Sequence, residues 1–420
     1  MTLIHLWIIL KGNLTDKYSN VLQNTKVIPQ DHQGVSTLLA FALIPLGGLA
    51  TDIFIPSLPA MADSFGVSQA AVQGLIMVFM ISLGFSQVFA GSVLDSFGRY
   101  RINLFCLLVF TLASYGITLQ SDITLIYLSR IVQGLSVSLI IVGRRAYFVD
   151  VYSGERLKNY TSLFSIIWAA APIIAPFIGG YLQQGYGWES NFYFLGVLTT
   201  IILILEIIYG GESLTVKSPF RGRSLLNTYK NMLSTPDFSL GILIVGLSYS
   251  LLVIYGISSP FIIEHVYHFS AVITGYSSLA SGAALMTGGI VSKLMIRYPF
   301  HRKLMMGSIL SVVVGVLMCM VSKFYSNIYT LISLTLALHL LSGFLFNNVY
   351  AYCLRRFSTN AGTASGLTGG GIYIVSSILI FGVIRLVSIE GQLILALVNL
   401  VLVVLMCFTV YFYLKKAKSY

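Results

Sequence analysis

Runs of twenty or more predominantly apolar residues recur along this chain from one end to the other. Coiled as an α-helix at about 1.5 Å per residue, such a run matches the hydrocarbon core of a bilayer, about 30 Å thick. Only 9% of the 420 residues are charged and 56% are hydrophobic, with a mean hydropathy of +0.86. A soluble fold could not cover its surface with so few charges. A transmembrane barrel would show alternating segments of about ten residues, and none is visible. The chain reads as an all-α membrane protein.

Twelve transmembrane helices can be placed, at residues 35–57, 71–94, 102–120, 124–146, 160–183, 190–210, 238–263, 272–296, 304–322, 328–350, 362–386 and 391–414. The longest polar break, 211–237, contains Lys217, Pro219, Arg221, Gly222, Arg223, Lys230 and Pro236. It divides the chain into two six-helix pseudo-symmetric bundles, 35–210 and 238–414, with tails at 1–34 and 415–420. Met1–Leu10 is apolar but too short to span. No basic residue precedes it and no small-residue cleavage site follows, so no signal peptide is expected.

The net charge of +11 reports topology rather than nucleic-acid binding, because the basic residues sit in short loops between apolar runs. Of 25 Lys and Arg, all except Arg130, Lys323 and Arg385 fall on one side: the N-terminal tail, the loops after even-numbered spans, the even-span ends facing them, and the C-terminal Lys415, Lys416 and Lys418. This bias places both termini in the cytoplasm. The four cysteines, Cys106, Cys319, Cys353 and Cys407, form no CxxC pair, so neither a disulfide nor a metal site is expected.

Local motifs narrow the reading. Gly91-Ser-Val-Leu-Asp95-Ser-Phe-Gly98-Arg99-Tyr-Arg101 follows span 2, and a looser basic loop, Lys293 to Lys303, follows span 8. The first resembles the loop signature of the major facilitator superfamily, with Gly91, Asp95, Gly98 and Arg99 in register and Ser96 and Tyr100 in place of basic residues. Arg130-Ile-Val-Gln133-Gly134 resembles the family's motif for proton coupling. Ala171-Pro172-Ile-Ile-Ala175-Pro176-Phe-Ile-Gly179-Gly180 resembles the antiporter motif of its drug–proton antiporter branch, with alanine before Pro176. Its small residues recur four apart on one face, which lets another backbone approach. Thr51-Asp52-Ile-Phe-Ile-Pro56-Ser-Leu-Pro59, Arg145 to Asp150 and Gly187-Trp188 are similar to segments of the bicyclomycin and chloramphenicol resistance (Bcr/CflA) transporters. The resemblance implies two bundles rocking about a midplane site, driven by the proton gradient with no cofactor, in a bacterial inner membrane. Gly91, Asp95, Gly98, Arg99 and Asp150 would gate the cytoplasmic end and lock the outward-open state. Pro172, Pro176, Gly179 and Gly180 would form the antiporter hinge.

Ionisable residues inside a membrane are functional candidates, because each is costly unless paired or hydrated. Asp52 lies five residues before the end of span 1, and Arg130 six residues after the start of span 4. Both are then roughly 8–9 Å inside the same face, so a facing pair is expected. Burial favours the neutral acid and a neighbouring guanidinium the carboxylate, so movement between them would load and release a proton. Glu206 is expected to reach the interface, and Glu264 and Arg385 to face water. Further cavity candidates are Gln133, Trp168, Tyr255, His339, Asn347 and Asn348. Relatives in this branch can carry a second acid two turns before the aspartate; that position is Ile44, which favours neutral or anionic cargo.

The expected function is proton-coupled export of drug-like small molecules by a monomer in the lipid bilayer. The alternatives are a dedicated exporter of a self-made metabolite, such as a carboxylate siderophore, and a non-transporting membrane sensor or scaffold. No Walker motif, nucleophile elbow or metal cluster appears, so neither an ATP-driven pump nor an enzyme is expected.

Overall fold

The computed structural model describes residues 26–219, 222–357 and 361–417; Met1–Leu10 lies outside them. The first span is built in pieces: α1 (Gln33–Leu43), α2 (Leu46–Asp52), a 3₁₀ turn (Ile55–Ser57) and α3 (Leu58–Phe65). Pro45, Pro56 and Pro59 fall at the breaks. Proline cannot donate to the helical ladder but is tolerated in a first turn. The prolines therefore segment the span instead of ending it at 57, as the sequence suggested. Gly66, with φ +60°, terminates α3, using the left-handed conformation that glycine adopts freely. Asp52 consequently sits in the interior of the span.

The chain continues as α4 (Gln69–Phe97), α5 (Tyr100–Thr118), α6 (Ile123–Val151), α7 (Gly154–Tyr186) and α8 (Glu189–Tyr209). After a short linker helix, α9 (Gly222–Leu233), come α10 (Pro236–Phe261) with a π-turn at Ile262–Val266, α11 (Ala271–Leu294) and α12 (Phe300–Phe324). The last three are α13 (Ile328–Arg355), α14 (Ala361–Leu386) and α15 (Gln392–Ala417). Caps mark several starts: Ser68 accepts from Ala71 N–H, Asp122 from Thr124 N–H, and Asn327 and Thr330 close a capping box.

Among the described residues, 10 helical spans are long and apolar enough to cross a bilayer. The 33-residue α7 has the length as well. The 24-residue α11 also has it, but its serines and glycines lower its hydropathy. That composition suits a helix that faces protein instead of lipid. Within the first half, α6 packs on α4 and α5, and α5 on α8; within the second, α11 packs on α13, α12 on α15, and α10 on α13, α14 and α15. The largest contacts between the halves are α4 with α14 and α7 with α11, and α3 and the 3₁₀ turn before it also meet the second half.

The face of the molecule bearing Arg99, Arg144, Arg356 and Lys415 is called the basic face here. Two segments there carry structure of their own. Residues 26–34 are not a loose tail: Val27 pairs with Glu212 in a β-bridge, and Lys26 Nζ donates to Ile207 O and Ile208 O, both at 2.7 Å. A lysine at a helix C-terminus satisfies carbonyls the ladder leaves open. The linker is not all loop, because α9 buries Tyr229 and Met232. Tyr229 donates to Val88 O, and burial pushes its phenol up to about 12, which keeps it a donor.

Candidate functional site

The prolines that segment the first span expose its carbonyls to neighbours, and Arg130 uses one of them. Its guanidinium donates to Ala50 O (2.9 Å) and to Gln133 Oε1 (2.8 Å). It also lies over the rings of Phe79 and Phe54, at 4.1 and 4.7 Å from their centroids, a cation–π sandwich. Gln133 in turn donates to Ser114 Oγ at 2.8 Å. Arg130 and Gln133 are both fully enclosed, so they brace α6 against α2 and α5 instead of lining open space. The expected Asp52–Arg130 pair does not form: among the described residues Asp52 is in no ion pair, and its Oδ2 is buried without a hydrogen-bond partner. The guanidinium is held by Ala50 O, two residues before the acid, by Gln133 and, at 3.5 Å, by Leu75 O, so Arg130 acts on Asp52 through its field.

Asp52 lines a cavity of ≈ 20 Å³ between the halves. Ile55, Pro172 and Pro176 form the first half's wall, and Tyr249, Tyr255, Ser278 and Ser281 belong to the second half's. Tyr255 is thus at the site, its hydroxyl bonded to Ser277 Oγ at 2.9 Å. His339 stands behind that wall, fully buried. Its Nδ1 is 2.6 Å from Ser281 Oγ and its Nε2 is 3.3 Å from Leu251 O. Asn347 donates to Gly289 O at 3.0 Å and Asn348 to Phe344 O of its own helix at 2.8 Å; neither lines this cavity. The Trp168 side chain lies outside the described residues.

The two halves repeat one construction. Arg130 on α6 reaches a carbonyl of the first span, Ala50 O. His339 on α13 reaches a carbonyl of the seventh, Leu251 O. Four residues later each helix carries a glycine, Gly134 or Gly343, against the second span of its half. A Cβ at Gly343 would overlap Leu285 O, and one at Gly134 would overlap Ser82 Oγ.

The span 5 motif forms the seam. A Cβ at Gly179 would overlap Ile53 O, and one at Gly180 would come within 2.7 Å of Ala271 O in the other half. Across the seam, Gly275 lies over Pro176 O, Gly282 over Ile173, and Tyr181 meets Tyr276 through hydroxyls 2.9 Å apart. Gln73 donates to Ile257 O at 2.8 Å nearby. These contacts join the two halves along α7 and α11, with α4 meeting α10.

On the basic face, Arg99 pairs with Asp150 and, at 3.1 Å, with Asp95. Ser213 donates to Asp150 at 2.7 Å. Gly98 has φ +97°, and a Cβ there would come within 2.7 Å of Glu212 Oε2. Glu212 accepts from the backbone N–H groups of Arg99 (3.0 Å) and Tyr100 (3.3 Å), capping α5. Gly91 has open space around it. Glu206 does not reach the interface: it is fully buried and pairs with Arg144 at 3.0 Å, because α8 turns it toward α6. Glu264 is half-buried beside Thr274, 3.5 Å away, where the π-turn rotates it inward; Arg385 is exposed, as expected.

Sequence reading missed Ser278, Ser281, Glu212 and the Arg144–Glu206 pairing. Ser278 and Ser281 stand three apart on one helical face, the only signal that could have raised them. Glu212 carried none, since apart from Leu214 N–H two residues on, its partners are backbone groups more than a hundred residues away.

A family model described as the Major Facilitator Superfamily matches residues 40–380. The chain belongs to this superfamily. It is 26% identical over 347 residues to multidrug resistance protein D of Escherichia coli (strain K12), covering 79% of this chain and 84% of that one. It is 27% identical over 341 residues to multidrug resistance protein MdtL of Salmonella typhimurium, covering 79% and 83%. A bacterial homolog of the human lysosomal transporter Spinster, solved in an inward-facing and unoccupied conformation, superposes with a TM-score of 0.70 at 13% identity, over 92% of this chain and 98% of that one. The superfamily fold, two six-helix bundles, is thus the fold of this chain, and the protein is a multi-pass membrane transporter of small molecules, not an enzyme.

Proposed function

We propose that this transporter exports drug-like compounds in exchange for protons across a bacterial inner membrane, as a monomer, with the basic face and both termini in the cytoplasm. Asp52 carries the reading. It is an acid in the interior of the first span, 6% exposed, with one oxygen unpartnered on a cavity shared by both halves. An acid so placed holds a proton in one state and yields it when the halves part and water enters.

Arg130 keeps the first span and α6 in register and biases Asp52 by its charge without touching it. The glycine seam of α7 and α11 closes the outer face, while Asp95, Arg99 and Asp150 hold the cytoplasmic ends of α4 and α6 together, so that the halves rock as bodies. The names of the two multidrug resistance relatives support drug-like cargo. Ile44, a fully buried apolar residue where α1 ends, eight residues before Asp52, supports neutral or anionic cargo. The distribution of Lys and Arg supports the orientation.

Proton flux in everted vesicles with an imposed inside-acid gradient tests the proposal, using neutral, cationic and carboxylate compounds on wild type and Asp52→Asn. A compound that dissipates the gradient in wild type and not in the variant is the expected result. Equal dissipation by both removes Asp52 as the coupling acid, and efflux confined to lipophilic cations removes the charge preference.

A further inference from the structure

The cavity between the halves joins two polar atoms that nothing among the described residues satisfies. Asp52 Oδ2, from the first span, and Ser278 Oγ, from α11, are both buried without a hydrogen-bond partner, and both residues line it. They are 6% and 7% exposed. Buried polar groups are paired with protein or with ordered water. A cavity of ≈ 20 Å³ holds about one water molecule, provided the walls offer two to four polar partners.

The third partner is Ser281, and His339 fixes which way it points. Leu251 O can only accept, so His339 Nε2 carries a hydrogen. In the neutral ring Nδ1 is then an acceptor, and Ser281 O–H donates to it at 2.6 Å. Ser281 Oγ is left with lone pairs alone for the cavity. Ser278 has no such restraint, and its hydroxyl can rotate to donate or to accept.

We infer that one water molecule bridges Asp52 to Ser278 and Ser281, and that Ser278 is the rotor that lets this bridge accommodate Asp52 in either protonation state. The inference deepens the proposed role of Asp52 and rests on it. With the carboxylate ionised, the water donates to Asp52 and Ser281 and accepts from Ser278. With the carboxyl protonated, Asp52 donates to the water, which donates to Ser281 and Ser278. Each state makes three bonds, and the change needs one hydroxyl rotation and one water reorientation. The other ionisable groups around the site are Arg130 from α6, Tyr249 and Tyr255 from α10 and His339 from α13, while α7 contributes Pro172 and Pro176. His339 occupies in its half the place of Arg130 in the other, so both halves use the fourth span to hold the polar wall of the site. Ser278, Ser281 and His339 are accordingly positioning residues: they act on the proton through Asp52.

Difference infrared spectra of the full chain in liposomes, between acid and alkaline buffer and in ordinary or ¹⁸O water, test this without any cargo. Wild type is expected to show a carboxylic C=O band that Asp52→Asn removes, together with a water O–H band that ¹⁸O shifts. Ser278→Ala and Ser281→Ala should each move the C=O band to higher frequency and abolish the water band, and Ser278→Thr should restore both. An unmoved C=O band in both alanine variants, or no ¹⁸O-sensitive band in wild type, overturns the bridge while leaving Asp52 as proton carrier. A spectrum in which Asp52→Asn removes nothing overturns the role of Asp52, and the bridge with it.

Discussion

Arg130 and Asp52 are neighbours in the membrane but not an ion pair: the guanidinium holds Ala50 O at 2.9 Å, two residues before the acid, and leaves Asp52 Oδ2 without a partner. An arginine locked onto the carboxylate would hold it ionised; an arginine locked onto the backbone sets a constant field and leaves the acid free to exchange its proton.

Arg130→Lys should therefore not be conservative. Lysine has no planar face to lie between Phe79 and Phe54, and it cannot serve Ala50 O and Gln133 together. Losing the desolvated stacking contact alone removes about 2 kcal/mol. The variant should reach the membrane, melt at lower temperature and lose proton-coupled transport. Wild-type transport by Arg130→Lys would show that charge alone suffices.

The Arg144–Glu206 pair is buried at 3.0 Å, and Arg144 also donates to Asn103 at 3.1 Å. Removing one charge of such a pair costs about 3–5 kcal/mol, because the other is left uncompensated, whereas an apolar pair of similar volume is often neutral. Glu206→Gln should lower the thermal midpoint sharply, and Arg144→Met with Glu206→Leu should recover most of it. A double variant no better than the single one would give the pair a role beyond packing.

Gly275 should act as a wedge site when enlarged. A Cβ there lies 2.8 Å from Pro176 O and 3.2 Å from Phe177 Cα, both backbone atoms that cannot turn aside. Overpacking costs about 1–3 kcal/mol, which applied to the closed outer seam alone shifts the population roughly 5- to 150-fold toward the state open on that face. Gly275→Val should leave paired spin labels across the seam farther apart and slow transport. Gly185→Ala, on α7 with nothing within 4 Å, should change neither.

Glu212 caps α5 through Arg99 N–H and Tyr100 N–H. Glu212→Ala should cost about 1 kcal/mol, as loss of a cap does, read as a lower melting temperature. It should also weaken the gate, since Gly98 and Arg99 are held by the same carboxylate. Glu212→Gln, which keeps an acceptor, should lose less than Glu212→Ala in both measurements.

The fold was legible because a bilayer imposes a repeated, countable signal. Span length follows from membrane thickness, and the asymmetry of Lys and Arg follows from charge, so neither depends on distant contacts. Reading failed where one residue type has two local meanings. Span 1 was ended at residue 57, yet Pro56 and Pro59 in first turns only bend the path, and Asp52 moved inward accordingly. Glu206 looked near enough to the surface to escape, but the turn of α8 aims it at Arg144.

Motif residues were recognisable one at a time, and the sequence by itself determined which of them are ionisable, which are small and roughly how deep each lies. Only the tertiary structure decided what each meets: Arg130 a carbonyl and two rings, Gly98 a carboxylate, Ser278 the space beside Asp52. Depth along a helix is a local property set by residue count. Partnership depends on the rotation and tilt of separate helices, which are fixed by the packing of many small and large side chains at once.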